Sequence, residues 1–211
     1  MKKRHIYVAF ILVLAMLMTA CGSGKQTLEG KWDGTLDLTK QFEDGIKAAN
    51  PDLEKYVDFE DLVFKMDISF EEGQMELNIN QDSIDAFDAN FTKGMQDIAV
   101  GYWTDGLASI HMTLEEAITE SGMTEEEYLN RIYRETGIDK MIESMTGVTE
   151  KTIQKLSDMK GTYTTPVNQE LRLYYTENEY ESMEYKFKGQ QLNITIKGDS
   201  FSLLIQCEKN K

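Results

Sequence analysis

Two spacings of apolar residues divide this chain. From Leu62 to Phe70 every second residue is apolar. Leu62, Phe64, Met66, Ile68 and Phe70 fall on one side, and Lys65, Asp67 and Ser69 on the other. A period of two marks a strand with one buried face. A slip of one residue would reverse the faces, so Phe64, Met66 and Ile68 are expected inside and Lys65 and Asp67 outside. Glu71-Glu72-Gly73 turns the chain, and Met75, Leu77 and Ile79 then alternate with Glu76, Asn78 and Asn80 to complete a hairpin. The C-terminal part repeats this pattern in four segments. The inner residues are Leu171, Leu173 and Tyr175; Met183, Tyr185 and Phe187; Leu192, Ile194 and Ile196; and Phe201, Leu203 and Ile205. Turn residues at Glu177-Asn178, Lys188-Gly189 and Lys197-Gly198-Asp199 separate them, as in an antiparallel meander. Lys31 to Leu38, with Trp32, Leu36 and Leu38 inward, and a segment opening at Gly161-Thr162-Tyr163 bring the count to eight strands.

The second spacing is three to four. Between Thr39 and Asp61 it describes two short helices, broken at Asn50-Pro51 because the residue before proline avoids helical geometry. From about Asp82 to Met159 it describes a longer helical region, opened by a stripe of Ile84, Phe87, Phe91, Met95, Ile98 and Tyr102. Thr113 with Glu116, and Thr124 with Glu127, have the capping-box spacing, and Gly122, Gly137 and Gly147 stand where helices would stop. The expected fold class is α+β. It is an antiparallel eight-stranded β-barrel or strongly curved sheet around one core, with a helical insertion at about 82–159 between strands 3 and 4.

The first twenty residues belong to a different kind of segment. Lys2, Lys3 and Arg4 precede an apolar run from Ile6 to Met18, shorter than the roughly 20 residues a spanning helix needs. This is the layout of a secretory signal peptide. Met18-Thr19-Ala20-Cys21 resembles the lipobox of bacterial lipoproteins, with Met18 where leucine is usual. The resemblance implies cleavage before Cys21 and acylation of its thiol. Residues 1–20 are then the signal peptide and 21–211 one domain, held by lipid at the cell membrane on its extracytoplasmic face. Each buried methylene of such chains contributes about 0.8 kcal/mol, so two or three chains anchor a soluble body. Gly22, Ser23 and Gly24 suit a tether.

Charge and composition narrow the remaining chemistry. The full chain carries a formal charge of −15, and loss of Lys2, Lys3 and Arg4 leaves −18. A body so acidic is a poor match for nucleic acid and for anionic headgroups. With Cys21 acylated, Cys207 has no partner, and its place in the alternation after Leu203 and Ile205 points it inward as a small hydrophobe. One histidine, His111, remains after residue 20, and the chain has none of the metal-hydrolase, nucleophile-elbow, phosphate-loop or paired-cysteine zinc spacings. No cofactor, metal or catalytic residue is expected. Asp82, Asp85 and Asp88 lie at helical spacing without a calcium-loop pattern and suit a solvated face. Tyr174, Tyr175, Tyr180 and Tyr185 suit cross-strand packing.

Leu28-Glu29-Gly30-Lys31-Trp32 resembles the Gly-x-Trp opening of lipocalin-like (calycin) barrels. With Phe70-Glu71-Glu72-Gly73 and Lys160-Gly161-Thr162-Tyr163, the mature chain is similar to small lipocalin-like lipoproteins of Gram-positive bacteria, a group with no assigned activity. The resemblance implies a barrel that is either filled by its side chains or holds one small ligand. The functional expectation is a non-catalytic lipoprotein that binds a small apolar ligand or a protein partner. Two other readings stand beside it: a structural, envelope-accessory lipoprotein with a filled barrel, and an enzyme. Any ligand site is expected where the insertion meets the barrel mouth. The candidate residues are Trp32 in the barrel and Trp103, Leu107 and Ile110 in the insertion.

Overall fold

The computed structural model describes residues 26–167, 169–198 and 202–210. The segment expected to be a signal peptide (1–20), Cys21, the expected tether Gly22, Ser23 and Gly24, the turn residue Asp199 and Phe201 lie outside these residues. Eight strands pair antiparallel in chain order: β1 (Gly30–Asp37), β2 (Val63–Glu71), β3 (Gln74–Ile79), β4 (Lys160–Thr164), β5 (Glu170–Tyr174), β6 (Tyr180–Lys188), β7 (Gln191–Lys197) and β8 (Ser202–Lys209). β8 returns to pair with β1, setting Trp32 opposite Lys209 and Leu36 opposite Ile205, and the sheet closes into a barrel. Closure rather than an open curved sheet is the outcome, and it leaves no edge strand.

The period-two residues fill the barrel. Phe64, Met66, Ile68 and Phe70 of β2 are buried, and Lys65 and Asp67 face out. Cys207 is fully buried opposite Gly34. Gly34 also faces inward, and a Cβ there would stand 2.7 Å from Met66 Cγ and 3.1 Å from both Ile68 Cδ1 and Ile205 Cγ2. The middle of the barrel is therefore filled by side chains, at the close packing usual for protein interiors. Gly161 allows a different approach. A Cβ at that position would lie 2.2 Å from the Tyr174 carbonyl oxygen, so only glycine lets β4 pass β5 this closely. Tyr175 departs from the expected inner face. β5 ends at Tyr174, and Tyr175 turns outward to donate its hydroxyl to Glu181 at 3.0 Å.

The two barrel ends differ. The turn end carries the β2–β3 and β6–β7 turns and the β4–β5 loop, and Trp32 seals it. The Trp32 indole N–H donates to the Leu28 carbonyl at 2.7 Å, Phe187 packs 6.1 Å from its ring, and Lys209 Nζ lies over it. Every described helix is attached at the opposite end. After β1 come α1 (Thr39–Ala49) and a 3₁₀ helix (Pro51–Tyr56), separated at Asn50, whose side chain caps the second. After β3 come α2 (Gln81–Ala108), α3 (Leu114–Ser121), α4 (Glu125–Thr136) and α5 (Ile138–Ser157), the insertion between strands 3 and 4. Both capping boxes form, and Gly122 and Gly137 close their helices with positive φ. Gly147 does not stop a helix. It lies inside α5, where apolar residues on either side, Ile142, Met145 and Ile153, keep one face packed through it.

Candidate functional site

The helices meet the barrel through aromatic residues. Phe87 of α2 stacks on Phe64 of β2 with centroids 4.3 Å apart, and Phe42 of α1 sets its edge against Phe87 and Phe91 at 5.8 and 5.3 Å. This cluster closes the helical end of the barrel. From there α2 runs outward beside the chain that leads into β2, in a ladder of contacts. The Asn90 amide donates to the Asp61 carbonyl at 3.0 Å, Lys93 pairs with Glu60 at 3.1 Å, and Tyr56 donates to Asp105 at 2.7 Å. Lys55 also pairs with Asp105, whose carboxyl is held below its usual range by the Lys55 and Tyr56 hydrogen bonds.

Two glycines let the ladder close. A Cβ on Gly94 would stand 2.4 Å from the Phe59 ring, and one on Gly101 2.7 Å from the Tyr56 ring. They lie seven residues apart, two helical turns, and so share a face of α2. The stripe anticipated the apolar packing of α2 but not this flat track. Ser83 is a second unanticipated contact. It is nearly buried at the start of α2, accepts the Lys65 backbone N–H at 3.0 Å and donates to Asn80, tying the helix to β2.

An apolar groove of about 690 Å³ lies between α1, the 3₁₀ helix, α2, the end of α4 and α5. Phe91, Met95, Ile98 and Trp103 contribute from α2, Ile46 from α1 and Met141 from α5. Among the described residues no strand residue lines it. Among the described residues Glu135 is the only ionisable side chain on its wall apart from the Tyr102 phenol. Gly45 of α1 also lines the groove, and a Cβ there would meet nothing within 4 Å.

The structure separates the four candidates named from the sequence. Trp103 lies on the groove, with its indole N–H 3.4 Å from the Tyr128 hydroxyl. It is 16 residues beyond Phe87, about 24 Å along the helix at ~1.5 Å per residue, so it is not at the barrel mouth. Trp32 is 2% exposed at the far end of the barrel. Leu107 is half-buried against the core without lining the groove, and Ile110 is 65% exposed just beyond α2. The expected meeting place of insertion and barrel is occupied by Phe42, Phe64 and Phe87. The open concavity lies further out, among the helices.

Other polar candidates remain dispersed. His111 is exposed in the turn before α3, at φ 60°. Asp88 is partly buried, and its carboxyl is raised by that burial and then by Asp85 and Glu150. Among the described residues no group of three or more His, Cys, Asp or Glu side chains is arranged to hold a metal ion. Tyr174 and Tyr180 pack at 5.3 Å across β5 and β6. At the turn end, the Tyr163 hydroxyl donates to Glu29 at 2.7 Å, and burial with that bond pushes its pKa up to about 12. Comparison with known protein families, characterised proteins and solved structures finds no match.

Proposed function

We propose that this chain is a lipid-anchored, non-catalytic extracytoplasmic lipoprotein of lipocalin-like type, and that it takes a small apolar ligand in the interhelical groove. The observation that carries the reading is the groove itself. Its volume of about 690 Å³ falls within the roughly 300–1,000 Å³ of small-molecule sites, and its wall is aromatic and aliphatic with a few polar groups at its margin. Met95, Met141 and Met145 give that wall flexible, polarisable surface that adapts to irregular apolar shapes. The Gly-x-Trp strand opening and the eight-stranded closed barrel support the lipocalin-like part. The signal layout ending at Cys21 supports the anchor. The family's interior cup is not the site in this reading, because Met66, Ile68 and Ile205 crowd Gly34 at the barrel's middle.

The filled barrel favours one competing reading, a structural accessory without a ligand. A neutral apolar fluorophore, N-phenyl-1-naphthylamine, separates the two when titrated into the mature chain with and without a Gly45→Phe substitution. Gly45 lines the groove and a Cβ there meets nothing within 4 Å, so a larger side chain can be added at its wall without a clash at the Cβ. The ligand reading expects saturable binding by the wild type and at least tenfold weaker binding by Gly45→Phe, with unchanged circular dichroism. Absence of saturable binding supports the accessory reading. Equal binding by both proteins removes the groove as the site.

A further inference from the structure

We propose that the turn end of the barrel faces the bilayer and that the helical layer, with its groove, is held on the side away from it. This inference rests on the lipid anchor of the reading above and adds to it an orientation and a membrane-facing surface.

The Gln26 side chain donates to the Gly189 carbonyl in the β6–β7 turn. Leu28 is buried, and its carbonyl accepts the Trp32 indole N–H. Glu29 is held twice, its carbonyl by Lys209 Nζ at 3.0 Å and its carboxylate by the Tyr163 hydroxyl. The chain is thus fastened to the turn end from residue 26 onward. Only residues 22–25 separate that fastening from Cys21. Five residue steps span at most about 18 Å at ~3.3–3.6 Å each, so an acylated Cys21 keeps the turn end within that distance of the membrane surface.

The body is longer than this tether. β1 has 8 residues, and at ~3.3 Å per residue with a barrel tilt near ~40° the barrel stands about 20 Å tall. The ladder from Phe64–Phe87 to Lys55–Asp105 then carries α2 outward from the opposite end. Trp103 lies about 24 Å further along that helix than Phe87. Turning the body over would lift the turn end at least a barrel height above the lipid, with the helical layer's depth added, which a tether of about 18 Å does not allow. Lying on its side is within the tether's reach, and it is the alternative that equal energy transfer from the two ends of the body would reveal. With the turn end toward the lipid, the groove exchanges its occupant with the aqueous space rather than with the bilayer beneath.

Energy transfer to the membrane measures this directly. Ile110→Cys and Val167→Cys place labels at exposed sites beyond α2 and in the β4–β5 loop, 65% and 59% exposed in the native residues. The unsubstituted protein is the labelling blank, since Cys207 is fully buried. Full-length acylated protein is reconstituted in phosphatidylcholine–phosphatidylglycerol vesicles with headgroup acceptors. Transfer from position 167 is expected to exceed that from position 110 several-fold. A 20-residue Gly-Ser insertion after Gly24, with a reach of about 25 Å, should shrink the difference. Equal transfer from the two sites, stronger transfer from 110, or a difference untouched by the insertion would overturn the orientation. Intact mass of the wild type and vesicle flotation of Cys21→Ala read the anchor separately. An unacylated wild type overturns anchor and orientation together, whereas an acylated protein with equal transfer overturns the orientation alone.

Discussion

The chain between the 3₁₀ helix and β2 is pressed onto α2 through Phe59, and Gly94→Ala tests that contact. In an unobstructed helix interior, alanine stabilises over glycine by about 0.8–1 kcal/mol. At Gly94 the new methyl would stand 2.4 and 2.6 Å from two Phe59 ring atoms. Phe59 cannot swing aside cheaply. Its ring is buried and lies parallel to Phe91 at 5.8 Å, and its backbone N–H donates to Glu43 at 3.3 Å. Overpacking of this kind costs about 1–3 kcal/mol, so the two effects sum to a net loss of about 0–2 kcal/mol. Gly106 lies on the same helix, with nothing within 4 Å of a Cβ, and serves as the control. Gly106→Ala should stabilise by up to about 1 kcal/mol. Urea unfolding of residues 21–211 reads both, and the expected separation of the two variants is about 1–3 kcal/mol. In a double-mutant cycle, Gly94→Ala should turn from neutral or harmful to favourable once Phe59 is replaced by alanine, because the obstructing ring is then gone. If Gly94→Ala stabilises the wild type as much as Gly106→Ala does, the close ladder described for α2 is not there.

Three further outcomes are expected. Cys207 is buried, and burial pushes its thiol up to about 12; Ellman's reagent at pH 8 should leave it unmodified in the folded protein and titrate it fully in denaturant. Glu116 is held below the ordinary glutamate value of 4.5 by the Thr113 backbone N–H and then by its hydroxyl. A depressed folded value means its contribution is full above 4.5 and disappears as pH falls through the folded pKa, so NMR titration should place its midpoint below 4.5 and Thr113→Ala should move it upward. At neutral pH, Thr113→Ala should cost about 1 kcal/mol through the lost cap, measured by urea unfolding.

Much of the fold was legible because its strands are buried on one face only. β2 alternates strictly from Phe64 to Phe70, with Phe64, Met66, Ile68 and Phe70 buried and Lys65 and Asp67 exposed as their pattern predicts. The capping boxes at Thr113 and Thr124 were equally legible, since a cap is a local event between residues three apart. Tyr175 and Gly147 fail for one shared reason. An alternation or a breaker describes a local preference, but where a strand ends or a helix continues is decided by contacts outside the window. Tyr175 is taken by Glu181 beyond the end of β5, and α5 runs through Gly147 because its apolar face stays packed. The crowding at Gly34, Gly94 and Gly101 belongs to the same class, since the residues that need each glycine's missing side chain lie elsewhere in the chain.

The groove was harder to anticipate than the barrel because its residues look like ordinary core in every local pattern. Phe91, Met95 and Ile98 belong to the same stripe as Phe87, yet Phe87 meets the barrel whereas these three floor an open concavity. What distinguishes them is the path of the chain before β2. The 3₁₀ helix and α1 cover one flank of α2, α5 returns along the other, and the gap between them is left to the exposed rim of Tyr102 and Met141. A stripe on one helix predicts that something covers it and is silent on what does. Trp103 is an apolar residue of the insertion beyond the main stripe, and it shares the groove with Phe91. Ile110 is likewise apolar and beyond the stripe but is exposed, because α2 ends at Ala108 and the turn toward α3 carries it clear of the helical layer. The two residues differ little in hydrophobicity and are separated by one end of a helix, which is why the site required the path of the whole helical layer and not the composition of the insertion.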